Sequence, residues 1–170
     1  MMRLLRRTPD YELRVLMVCT GNICRSPAAE GVLRTRLTER GLQHRVGVSS
    51  AGTHAHRGWA PDPRTLASAA RRGYDLSSLR GRTLEEAMLA SSDLVLAMDL
   101  ENLEHLRRRC PPELHGRLGL LLQRCPVEDG VIEVPDPYYG GPDGFERVLD
   151  LLEPACRALA SSLARDLGLE

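Results

Sequence analysis

Cys19 and Arg25 bracket the five residues Thr20, Gly21, Asn22, Ile23 and Cys24, and Ser26 and Pro27 follow directly. A loop of this kind, ahead of a helix, turns backbone N–H groups toward a dianion, and Arg25 adds a bidentate charged pair. The same positive field favours the thiolate of Cys19, the nucleophilic form of sulfur. Attack on phosphorus also needs an acid for the departing oxygen. Two aspartates flanked by prolines on both sides compete for that role, Asp62 and Asp136. Asp136, in PDPYYGG, is preferred because it lies in a long loop able to fold over a sheet end, whereas Asp62 suits the start of a helix.

These residues need a scaffold that brings them together. The apolar run at 13–18 predicts a strand buried on both faces, and Ser26 is expected to cap a helix with Pro27 at its first position and Gly41 at its end. A second strand follows at 46–50. After the loop 54–63 a helix opens at Asp62-Pro63 and closes at Gly73. A short helix is expected at 84–89, a third strand at 93–98, a helix at 100–109 and a fourth strand at 118–122. Residues 124–144 form a long loop before a final amphipathic helix at about 144–167. Alternating strands and helices predict an α/β fold: a single domain with a four-stranded parallel sheet, order 2-1-3-4, helices on both faces, and a phosphate-binding loop after strand 1.

The chain has 170 residues, 42% of them apolar, enough for one core. Its 23 basic residues, all Arg, balance 23 acidic ones, so bulk charge supports no nucleic-acid or membrane partner. Five cysteines without a secretory pattern point to reduced thiols in the cytoplasm. Residues 1–12 read as a partly disordered leader and 13–170 as the folded domain. A monomer is expected, and nothing in the pattern calls for a metal or other cofactor.

The motifs CTGNICRSP at 19–27, SAGT at 50–53, AMD at 97–99 and DPYY at 136–139 together resemble the low-molecular-weight protein tyrosine phosphatases, bacterial type, over about residues 13–165. The resemblance implies hydrolysis of protein phosphotyrosine through a phosphocysteine on Cys19. Arg25 and the amides of residues 20–25 would bind the phosphoryl group. Ser26 would hydrogen-bond the thiolate, Asn22 would hold the loop's strained turn with Ser50, and Asp136 would serve as general acid and then base. Tyr138 and Tyr139 would line the substrate pocket, Asp99 would support the loop, and Cys24 would form a reversible disulfide with Cys19. The segment HAHRGW departs from the eukaryotic pattern and resembles bacterial enzymes that act on tyrosine kinases; either His56 or Trp59 takes the place of the pocket aromatic.

Blander readings hold elsewhere. Cys110, Cys125 and Cys156 read as packing thiols, and Arg107 to Arg109 as a solvated helix end. His54 and His56 make an H-x-H pair without further ligands nearby. Two alternative activities share the scaffold. A thiol-dependent arsenate reductase would need relay cysteines, yet none lies between Cys24 and Cys110. A protein arginine phosphatase resembles the chain through a CTGNTCRS loop, but Ile23 replaces its threonine and favours an aryl ester. A non-catalytic phosphate-binding module would need neither nucleophile nor acid.

Overall fold

A computed structural model describes residues 9–169. Its four strands are β1 (Leu13–Cys19), β2 (Val46–Gly52), β3 (Leu94–Ala97) and β4 (Leu118–Leu120). All pair in parallel, in the order β2-β1-β3-β4 that the alternation of elements predicts. β1 sits centrally, and its two faces enter two different clusters. Val15, Met17 and Cys19 pack with the helices α1 (Arg25–Glu39) and α6 (Pro142–Asp166). Leu16 and Val18 pack with α3 (Glu86–Ser91) and α4 (Leu100–Arg109). A side-chain period of two explains why the strand is apolar throughout from Val15 to Cys19: both faces are covered by helices there. Each fully buried Leu or Val there contributes roughly 1.5–3 kcal/mol.

Several boundaries differ from expectation. Ser26 does not cap α1. Cys24 occupies the N-cap without a side-chain bond, and Ser26 lies inside the first turn with its hydroxyl turned to Cys19. Arg25 to Glu30 are all buried, so the start of this helix is driven under the sheet end and its polar groups find partners there. Asp62 does cap α2 (Pro63–Arg71), accepting a bond from the Arg64 amide at 2.8 Å. The short helix begins at Glu86, because Leu84 is held by its N–H to the Gly52 carbonyl. The fourth strand stops at Leu120, and Leu121–Arg124 make a helical turn, α5, since β4 is an edge with only β3 to pair with. A 3₁₀ turn, Pro112–Arg117, precedes it. α6 starts at Pro142, with proline in its first turn.

Residues 1–8, most of the expected leader, lie outside the described residues. Residues 9–12 run against β2: Glu12 pairs with Arg45, and the Tyr11 ring covers Gly47, where an added Cβ would come within 2.3 Å of it. Among the described residues no helix is long and apolar enough to cross a membrane.

The sheet's carboxyl end assembles the site. Cys19 ends β1, Ser50 and Gly52 close β2, and Asp99 follows β3. The loop after α5 is tied back over this end by the Val134 N–H, which donates to the Met98 carbonyl at 2.8 Å.

Candidate active site

The loop from Cys19 to Arg25 turns sharply enough that Asn22 takes a left-handed conformation, φ 53°. Asn is among the few residues that tolerate this, because its short amide satisfies the backbone locally. Its Nδ2 donates to Ser26 Oγ at 2.8 Å and to Ser50 Oγ at 2.9 Å, while Oδ1 accepts from the Arg82 amide at 2.9 Å. Ser50 Oγ donates in turn to Glu30 at 2.8 Å. Glu30 is buried, which pushes its carboxyl above the ordinary range, and Arg34 and Ser50 offset part of that cost. Gly52 is required beneath the turn, since a Cβ there would come within 2.5 Å of the Thr20 carbonyl.

Cys19 Sγ lies at the centre. It shares a 2.9 Å hydrogen bond with Ser26 Oγ and accepts the Asn22 amide at 3.3 Å. The Asn22 amide stabilises negative charge on sulfur, as do the Ser26 hydroxyl, when it donates, and the N-terminus of α1 behind it.

Arg25 is buried, yet held by charge on several sides. Its Nη1 donates to Asp99 at 2.6 Å and to the Val134 carbonyl at 3.1 Å, and its Nη2 lies 3.6 Å from Asp136. Burial alone would lower its pKa, but Cys19, Asp99 and Asp136 outweigh that and raise it. Asp99 is itself fixed as the N-cap of α4, accepting the Asn102 amide at 2.7 Å. The Asn102 side chain donates to Thr20 Oγ1 at 3.0 Å, so α4 braces the loop at two points.

An open cleft of about 340 Å³ stands over Cys19, lined by Thr20, Gly21, Ile23, Cys24 and Arg25 at its floor. His56 and Trp59 make one wall, stacked with ring centroids 4.1 Å apart, so both line the cleft where one or the other was expected. Tyr138 and Tyr139 make the other wall with Asp136. Arg64 backs Tyr138, its guanidinium 5.4 Å from the ring centre and donating to the Tyr138 carbonyl. His54 turns away from His56 to meet His105 edge-on, so the H-x-H pair does not converge.

Asp136 and Asp62 separate clearly. The Asp136 carboxylate accepts the Tyr138 amide at 3.2 Å and borders the cleft. Asp62 accepts from the Arg64 guanidinium and amide, which hold its carboxyl below the ordinary range. Cys24 lies at the cleft floor, and burial pushes its thiol up to about 12. All five cysteines are free and buried, and Cys110, Cys125 and Cys156 pack in the core away from the cleft.

The structure thus brings together Cys19 to Ser26, Ser50, Asp136, Tyr138, Tyr139, His56 and Trp59. Sequence reasoning missed Glu30, Asn102 and the Arg82 amide. Glu30 had a signal, a lone acid on the otherwise apolar side of α1 among Ala29, Val32 and Leu33. Asn102 had none, because its role depends on which helix face meets the loop.

The family described as "Low molecular weight phosphotyrosine protein phosphatase" matches residues 14–169. A low molecular weight protein-tyrosine-phosphatase of Streptomyces coelicolor is 45% identical over 88% of this chain and 93% of its own length. A crystal structure of a protein tyrosine phosphatase from Entamoeba histolytica superposes with a TM-score of 0.85 at 37% identity, covering 91% of this chain and 99% of that one. The YwlE arginine phosphatase, a Bacillus subtilis protein, is also similar, with a TM-score of 0.83 at 28% identity over 93% of this chain and all of that one.

Proposed function

Because this chain belongs to the low molecular weight phosphotyrosine protein phosphatase family, we propose that it hydrolyses protein phosphotyrosine through a phosphocysteine on Cys19. The observation that carries this reading is the meeting, at one cleft, of Cys19, the helix-terminal Arg25, and Asp136 only 3.6 Å from that arginine.

In the first step Arg25 and the loop amides hold the three non-bridging oxygens. Cys19 Sγ forms a bond to phosphorus as the bond to the phenolic oxygen breaks, and Asp136 gives that oxygen its proton. In the second step Asp136 takes a proton from water, whose oxygen bonds to phosphorus as the S–P bond breaks. Phosphate leaves, and Ser26 stabilises the returning thiolate through its 2.9 Å contact. Asp99 positions Arg25 for both steps. Asp62 is unsuited to the acid role because Arg64 holds it ionised.

The aromatic walls suit a flat phenolic ester, and Ile23 presents an apolar surface to it. Similarity to the YwlE arginine phosphatase supports a second reading, in which the leaving group is a guanidinium. That relative also lends support to the covalent route, since it is described as a cysteine-to-serine variant with a phosphorylated active-site serine. The reading extends to a monomeric cytoplasmic enzyme whose substrates include a bacterial tyrosine kinase, the substrate that the resemblance of the HAHRGW segment implies.

A side-by-side assay of phosphotyrosine, phosphoarginine and arsenate tests the assignment. Turnover of phosphotyrosine is expected to dominate, and Cys19→Ser should abolish it while the circular dichroism spectrum stays unchanged. Faster release from phosphoarginine would favour the second reading, and full turnover by Cys19→Ser would remove the covalent mechanism.

A further inference from the structure

The two sides of the cleft differ in charge. On the side of His56 and Trp59 the chain runs beside a second segment: the Gly58 N–H donates to the Gly81 carbonyl at 2.8 Å, and the Gly81 N–H donates to the Trp59 carbonyl at 2.7 Å. This ladder sets the backbone of Arg57, Arg80 and Arg82 beside that wall, and all three residues are exposed. Among the described residues none of them has a carboxylate within 4 Å. Arg80 donates to the Ser77 and Leu79 carbonyls, which orient its guanidinium without neutralising it. Arg82 feels Glu30 only at longer range, beneath the loop. The opposite wall carries Asp136, and Arg64 behind Tyr138 is already paired with Asp62. Three cations beside the His56–Trp59 wall thus lack a close carboxylate partner among the described residues of a chain with equal numbers of acidic and basic residues.

We propose that this rim, Arg57, Arg80 and Arg82, selects phosphotyrosine segments with acidic residues next to the phosphorylated tyrosine, on the flank that runs past Trp59. The inference rests on the phosphotyrosine reading above and adds the substrate class. With the phosphotyrosine ring between His56–Trp59 and Tyr138–Tyr139, a peptide backbone leaving the cleft on the first side passes over the arginine rim. Aspartate or glutamate there meets unpaired guanidinium groups, while lysine meets like charge. Such contacts act at an exposed surface, so each is weak, and their sum acts on capture of the peptide more than on the chemical step.

The test compares kcat/KM for phosphotyrosine peptides whose neighbours are glutamate, alanine or lysine on either flank, at low and high salt. Wild-type enzyme is expected to favour glutamate over alanine on one flank by about two- to tenfold at low salt, mainly through KM. The preference should shrink at about 0.5 M salt, where screening is short-ranged. Arg57→Ala/Arg80→Ala should bring the ratio closer to one while hydrolysis of p-nitrophenyl phosphate is unchanged; Arg82, whose charge also acts on Glu30 beneath the loop, is left in place. Equal rates on all three peptides, a preference for lysine, or a glutamate preference undiminished by the double substitution would each overturn the proposal. Failure to hydrolyse free phosphotyrosine would instead remove the reading beneath it.

Discussion

At the scale of single residues, the chemistry turns on what surrounds each titratable group. Asp62 and Asp136 have the same Pro-Asp-Pro neighbours, yet only Asp136 faces the cleft with Arg25 beside it. Asp136→Asn is therefore expected to lower kcat by about 10²–10⁴-fold, most for substrates with poor leaving groups. Asp62→Asn should leave that dependence unaltered; a steeper leaving-group dependence in Asp62→Asn would reverse the assignment. Cys24 is buried, and burial pushes its thiol up to about 12, so at neutral pH almost none of it is thiolate. Peroxide should inactivate the enzyme reversibly through a Cys19–Cys24 disulfide. Closure by Cys24 should be slow near pH 7 and rise about tenfold per pH unit toward alkaline pH, because only its thiolate attacks. Mass spectrometry of the oxidised protein checks both points, and Cys24→Ser should make the loss irreversible.

Among the elements, α1 is the one whose placement matters most. Its first turn is buried to bring Arg25 and Ser26 under the loop, and its far end is packed against α6. α2 is tied to α6 by Glu146, which accepts from Arg71, Arg72 and Ser68. Those bonds hold its carboxyl down at about 2, and the side chain is 37% exposed, so screening reduces the stabilisation. Glu146→Gln is expected to cost about 0.5–1 kcal/mol at neutral pH by urea denaturation. A carboxyl whose folded pKa is depressed stabilises above its unfolded value and ceases to do so as pH falls through the folded one. The gap between wild type and Glu146→Gln should therefore be full at pH 7 and close between pH 4.5 and about 2. A constant gap across that window would show that the loss is one of packing.

For the whole molecule, the sequence by itself determined the alternation of strands and helices, the parallel sheet and its order, and the cysteine-to-arginine loop. These are local signals: apolar runs of strand length, Gly41 and Gly73 at positive φ after their helices, and a loop whose residues are contiguous. Asp136 and the two tyrosines were legible because prolines and a long loop mark them out. Only the tertiary structure decided how the parts meet. That Ser26 turns to Cys19 in place of capping α1, that β4 ends at Leu120, and that both His56 and Trp59 wall the cleft follow from packing between distant segments. Glu30 under Ser50, Asn102 on Thr20 and Asp99 on Arg25 likewise join positions that no local pattern relates. The physical reason is that periodicity and turn chemistry act over a few residues, whereas a buried polar group takes its partner from whatever the fold brings within about 3 Å of it.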